Sequence, residues 1–366
     1  MTCRAPDRRS SVSPWIAASS AYSPRKPDTR ITWFLDANEG RTSRGVIAAM
    51  EAAISSPSGG VNRYPSFFEL EAVLAARWGV VPARVVVTAG GDDAISRICA
   101  TRLAPGSRML VHEPAFEMFG VYARSRGAEL LPIGWLDGEA FPLAETVQAI
   151  EGDPSLGLAS VVSPSNPTGN AVDMPQALAV ADACARSDAA FLFDAAYGEF
   201  ADVDPSQVLV SDGSAYVVRS FSKAYGLAGL RLGYAIAPGE KEASALRACG
   251  MPYPSSALSV VAAFAALADT EALSSAVATA RAERASMAAR LRELGARVAE
   301  PAANFVLARV LDPAGLAERL ADHGIAIRSF DGRPLLADAV RISCPCDPAG
   351  LSAVLSALDQ AKECIG

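Results

Sequence analysis

Between about residues 55 and 239 this chain alternates short apolar runs with stretches of helical character, and few folds tolerate that rhythm. Strands are expected at 84–88, 108–112, 129–133, 158–163, 190–194, 215–219 and 234–237, with helices at 68–78, 92–103, 117–126, 175–187 and 240–248. Runs such as Phe191-Leu192-Phe193 suit strands covered on both faces. The pattern predicts an α/β protein with a mostly parallel, seven-stranded sheet sandwiched between helices. Beyond residue 239 the character changes. Long helical stretches at 256–268 and 270–294 precede short strands near 305–309, 325–328 and 339–343, which reads as a smaller α+β domain. The expected division is an arm at 1–27, a segment at 28–54 that joins the small domain, a large domain at 55–239 and a small one at 240–366.

Composition removes several function classes. With 366 residues the chain can bury a large core in two lobes, and a net charge of −7 argues against nucleic acid as a partner. The longest apolar run, 257–267, is too short and too rich in alanine to span a bilayer. Seven scattered cysteines suit reduced thiols in the cytoplasm, and Cys344-Pro-Cys346 lacks the spacing and the second pair of a zinc site. With His112 and His323 the only histidines, a histidine-based metal centre or triad has little to draw on. The first 27 residues are rich in Ser, Arg and Pro. They lack the apolar core of a secretory signal, and Pro6, Pro14 and Pro24 would break a transit helix. A cytoplasmic protein without a membrane partner is expected.

Four segments carry chemistry. Ser220-Phe221-Ser222-Lys223 sets a lysine between hydroxyls, and Arg231 follows eight residues later. A lysine that forms a Schiff base needs neighbours that hold its partner's phosphate, and two hydroxyls with a guanidinium could supply them. The bland alternative for Lys223 is a solvated surface lysine. The run 191–193 delivers Asp194 at a strand's C-terminal end, where catalytic groups of open α/β sheets gather, although an Asp after a strand is also a common helix cap. Val85-Val86-Val87-Thr88 leads through Gly90-Gly91-Asp92-Asp93 into a helix, a phosphate-binding arrangement of amides at a positive dipole end. Val161-Val162-Ser163-Pro164 leads into a turn, Asn166-Pro167-Thr168-Gly169.

Taken in order, Gly-Gly-Asp-Asp, Asn-Pro-Thr-Gly, Asp-x-x-Tyr, Ser-x-Ser-Lys and Gly-Leu-Arg-x-Gly resemble the fold-type I pyridoxal-phosphate aminotransferases, and among them the histidinol-phosphate group. The likeness runs from about Tyr22 to the C-terminus. It implies that Lys223 carries pyridoxal 5'-phosphate and shuttles the substrate's Cα proton, that Asp194 faces the pyridine nitrogen, and that Asn166 and Tyr197 bond its 3'-oxygen. Phe116 would stack on the ring where relatives have Tyr, with Phe119 as rival. Ser220, Ser222, Arg231 and the amides of Gly91 and Asp92 would hold the phosphate, the Asp92 side chain pointing away to cap the helix. Tyr64 would reach the cofactor of a second subunit, which implies a homodimer with shared sites. Arg341 would clamp a carboxylate, while Tyr22 and Arg328 would take a substrate phosphate. Asn38 belongs to the family's Asn-Glu motif, and Gly40, where relatives often have Tyr, would open the pocket. The implied substrates are a small-molecule amino donor and a 2-oxo acid acceptor: glutamate/2-oxoglutarate and histidinol phosphate/imidazole acetol phosphate. Aromatic amino acids, decarboxylation of phosphothreonine, or a silent binding protein are the alternatives.

Overall fold

The computed structural model describes residues 28–56 and 60–366. The first strand, β1 (Trp33–Phe34), lies in the smaller region. The next seven, β2 (Val85–Thr88), β3 (Arg108–Glu113), β4 (Glu129–Gly134), β5 (Leu156–Val162), β6 (Ala190–Asp194), β7 (Tyr216–Ser220) and β8 (Gly233–Ile236), form the large sheet. Its order is β2-β8-β7-β6-β5-β3-β4, and only β8 runs against its neighbours. The expected mostly parallel α/β sheet is therefore present. The alternation of side chains along each strand splits the core in two. Val85, Val87, Leu110, Phe191, Phe193 and Val217 pack on one face, while Val86, Met109, Val111, Leu192, Tyr216 and Val218 pack on the other. Because β2, β3, β5, β6 and β7 share one direction, their carboxyl ends open along one edge, where open α/β sheets bind ligands.

The smaller region holds β9 (Phe305–Arg309), β10 (Ile325–Ala326), β11 (Arg328–Ser329) and β12 (Ala339–Ser343). The single strand expected at 325–328 is two. Ile325 and Ala326 pair with β1, whereas Arg328 and Ser329 turn to pair with β12 in the order β11-β12-β9. Helices not anticipated from the sequence lie at Arg44–Ser55, Leu143–Gly152, Ser206–Asp212, Pro313–Asp322 and Pro348–Gln360. The expected domain limits cut across the packing. Val46 of the first of these helices and Val260, Ala262 and Ala263 of Ala257–Ala268 lie in the same core as the large sheet, not with β9–β12. Among the described residues no single helix is long and apolar enough to cross a membrane.

One buried charge ties the sheet to the loops beside its open edge. Arg219, on β7 and 5% exposed, donates to Glu199 at 2.6 Å and to Asp204 at 2.5 Å, with its guanidinium 5.3 Å from the Trp78 ring. The two carboxylates hold this guanidinium protonated despite its burial. Removing one member of such a group leaves an uncompensated charge inside. Arg219→Ala is expected to lower unfolding free energy by about 3–5 kcal/mol. Urea denaturation checks this, and a loss below about 1 kcal/mol would show that the carboxylates are solvated instead.

Candidate active site

At the carboxyl edge lies a cavity of about 630 Å³, walled by both regions. Asp194 closes its inner end, 5% exposed at the tip of β6. Its Oδ1 accepts a hydrogen bond from the Ala196 amide at 3.0 Å. Burial, with Asp92 adding repulsion, pushes its carboxyl up to about 6. Lys223 reaches in from the turn after β7, its Nζ donating to the Ala37 carbonyl at 2.9 Å and lying 5.5 Å from the Tyr197 ring centroid. Tyr197 accepts from Asn38 Nδ2 at 3.0 Å. Phe116 lines the cavity edge-on to Phe119, which is itself buried in the sheet's core, so the aromatic face is that of Phe116.

Another part of the cavity wall gathers the residues expected to hold an anion. Gly91 and Asp92 begin the helix Gly90–Arg102, and Ser220, Ser222 and Arg231 stand beside them on the cavity wall. Ser220 Oγ accepts from the Ser222 amide at 3.1 Å, which orders that turn. The Asp92 side chain does not cap the helix as expected. It faces Arg231 at 3.3 Å, and the neighbouring Asp93 binds the Ala89 amide at 2.9 Å instead. Gly90 has φ +83°, and a side chain there would meet the Arg231 guanidinium at 2.9 Å, whereas Gly91 has room for a methyl group.

The two arginines expected to bind substrate sit directly across from one another. Arg328 of β11 pairs in register with Arg341 of β12. Arg341 is 8% exposed and donates to the Asp36 carbonyl at 2.6 Å and to Asn166 Oδ1 at 2.5 Å. Arg328 lies 3.5 Å from Glu117. Glu117 and Arg333 also line the cavity, and neither was anticipated; Glu117 follows the expected Phe116 directly, whereas Arg333 lies five residues beyond Arg328 and had no local signal. Asn38, 1% exposed, donates its amide to Ser343 Oγ at 2.8 Å and accepts from Ser343 Oγ at 3.0 Å. Tyr64 stays outside this cavity, 79% exposed and stacked on Tyr253 at 4.2 Å. Tyr22 lies outside the described residues.

Gly40 has a different role from the one expected. A Cβ at residue 40 would fall 1.9 Å from the Lys223 carbonyl oxygen and 3.1 Å from Gly226 Cα. The glycine allows two backbones to touch behind the lysine; it does not widen the pocket.

A primary amine, a buried carboxylate, an aromatic face and an anion cradle within one cavity match the parts of a phosphorylated aldehyde with a basic ring nitrogen. The buried carboxylate makes stability depend on pH. In the ligand-free protein the folded value for Asp194 exceeds the unfolded 3.8, so stability falls as pH rises from about 4 to about 6 and the cost persists above. Asp194→Asn removes that titration. Its stability relative to wild type should therefore improve on the order of 3 kcal/mol between pH 4 and pH 8, read from urea denaturation of both ligand-free proteins. A pH-independent difference would show that Asp194 is hydrated.

Residues 34–358 match the family described as aminotransferase class I and II. The histidinol-phosphate aminotransferase of Halorubrum lacusprofundi is 37% identical over 298 residues, covering 80% of this chain and 79% of the relative. That of Halobacterium salinarum is 36% identical over 315 residues, covering 80% and 81%. In three dimensions the chain resembles the Sinorhizobium meliloti histidinol-phosphate aminotransferase solved with pyridoxal-5'-phosphate, with a TM-score of 0.82, 25% identity and 99% of each chain covered. The chain belongs to the class I and II aminotransferases, a family of pyridoxal-phosphate enzymes that act on small amino and oxo acids.

Proposed function

We propose that this protein is a histidinol-phosphate aminotransferase that exchanges an amino group between glutamate/2-oxoglutarate and histidinol phosphate/imidazole acetol phosphate, as a cytoplasmic homodimer serving histidine synthesis. The observation that carries the reading is the facing pair Arg328 and Arg341 in a cavity whose relatives, at 36–37% identity, bear that name. Both substrates carry an anion away from the amine, and two guanidinia on neighbouring strands can bind such groups bidentately.

Bound pyridoxal phosphate supplies an electron sink for the pair left on the substrate's Cα. The chain's residues do the rest. Lys223 would hold the cofactor through its amine and, once freed, would carry a proton between the substrate's Cα and the cofactor's aldehyde carbon. Burial disfavours the charge on Asp194, and a protonated ring nitrogen opposite it would offset that cost. Asn166 and Tyr197 orient the ring oxygen, and Phe116 covers one ring face. Ser220, Ser222, Arg231 and the first amides of the helix Gly90–Arg102 hold the phosphate. Asn38 fixes Tyr197 through its side-chain amide.

The dimer is supported by exposed apolar groups around Tyr64. Val61 is 64% exposed, Phe68 72% and Met251 61%, an unusual concentration outside an interface. The six cysteines among the described residues are free thiols, in keeping with a reducing compartment.

Mixing the cofactor-loaded enzyme with histidinol phosphate, phenylalanine, tyrosine, arginine and phosphothreonine, and following cofactor absorbance with product mass, tests the substrate. Transamination of histidinol phosphate in preference to the others is expected; its rejection beside turnover of an aromatic amino acid overturns the reading. Lys223→Ala should abolish turnover in every case while retaining some cofactor, because the phosphate contacts survive.

The shared site has its own test. Lys223→Ala and Tyr64→Ala proteins, each impaired alone, should regain activity when mixed and allowed to exchange subunits, since one site of the hybrid carries neither lesion. A fully active monomer by light scattering would contradict it.

A further inference from the structure

Beside the main cavity lies a second one of about 420 Å³, and the two share Phe116, Glu117, Arg328 and Arg333. At their junction two arginines converge on one oxygen. Arg328 Nη2 lies 3.5 Å and Arg333 Nη2 3.4 Å from Glu117 Oε1. A committed guanidinium–carboxylate contact is about 2.7–2.9 Å long. Elsewhere in this chain Arg219 and Glu199 meet at 2.6 Å. The contacts to Glu117 are long, they share one acceptor atom, and all three side chains are 30–38% exposed. Ion pairs of this kind are weak and readily exchanged. Arg333 is nevertheless aimed, because its Nη1 donates to the Ala115 carbonyl at 3.3 Å. The cluster carries two positive charges and one negative, so it retains a net cation toward the cavity.

We infer that Arg333 and Arg328 form one anion subsite, and that Glu117 is its resident counter-ion, displaced when the anionic end of a substrate arrives. This deepens the proposed function, on which it rests, by naming Arg333 as a specificity-determining residue and Glu117 as a built-in competitor. A phosphate brings more charge and more acceptor oxygens than one carboxylate, so it can engage both guanidinia where Glu117 offers a single oxygen. A neutral side chain has nothing to exchange for Glu117 and gains nothing from either arginine.

The test uses the cofactor-loaded enzyme, whose cofactor phosphate site is already filled, and two variants, Glu117→Gln and Arg333→Ala. Calorimetry with inorganic phosphate gives affinity for the subsite; the ratio of kcat/KM for histidinol phosphate to that for phenylalanine gives selectivity. Glu117→Gln should tighten phosphate at least threefold and raise the ratio. Arg333→Ala should weaken phosphate at least tenfold and lower the ratio similarly. The inference is overturned if Glu117→Gln leaves phosphate affinity unchanged or weaker, or if Arg333→Ala alters neither quantity. Absence of phosphate binding in both wild type and Glu117→Gln overturns it as well. If wild type ignores histidinol phosphate, the substrate reading fails, and calorimetry alone then decides the subsite.

Discussion

The site depends on a short strap of main chain, residues 36–42, held between the two regions. Its carbonyls at Asp36 and Ala37 accept from Arg341 and Lys223. Asn38 links Tyr197 to Ser343, and its own carbonyl accepts from Asn304 at 3.2 Å. Gly40 lies against the Lys223 backbone, Thr42 donates to the Gly226 carbonyl at 2.6 Å, and Arg41 pairs with Asp347. Asn38 takes a left-handed conformation with φ 54°, which Asn tolerates better than most residues. Lysine, tyrosine and arginine therefore share one support: backbone carbonyls hold the lysine and the arginine, and the Asn38 side chain holds the tyrosine.

Two buried charges of opposite sign flank this support and are treated differently. Arg219 is answered by two carboxylates and an aromatic ring, so its charge is balanced within the protein. Burial raises the Asp194 carboxyl even though the Ala196 amide, which donates to it, pulls the other way. The first group serves the fold. The second keeps its charge at a cost to stability, a common feature of functional positions.

Much of this was legible in the sequence for physical reasons. Asp194 and Lys223 follow apolar runs that can only be buried strands, so their place at the sheet edge follows from the pattern. The missed helices were signalled at their starts. Asp312-Pro313 and Asp347-Pro348 each put a capping side chain before a proline at the first helical position, and both caps form. Ser43 caps its helix in the same manner. Other features are invisible to local pattern. The break after Ala326 arises from pairing with two different partners, and the contact at Gly40 joins segments far apart in the chain. Asp92 and Asp93 are adjacent and alike, and they differ in their partners: Asp92 faces Arg231, whereas Asp93 binds the Ala89 amide and Arg97.

That break has a geometric consequence. Because β11 leaves β10 and pairs with β12, the Cα atoms of Arg328 and Arg341 are spaced by strand pairing, about 4.5–5.5 Å, and not by a flexible loop. Their heads then diverge, one toward Glu117 and the other toward Asn166 and Asp36. The strand pair acts as a ruler with two charged marks. The spacing of its marks follows from the register of the two strands.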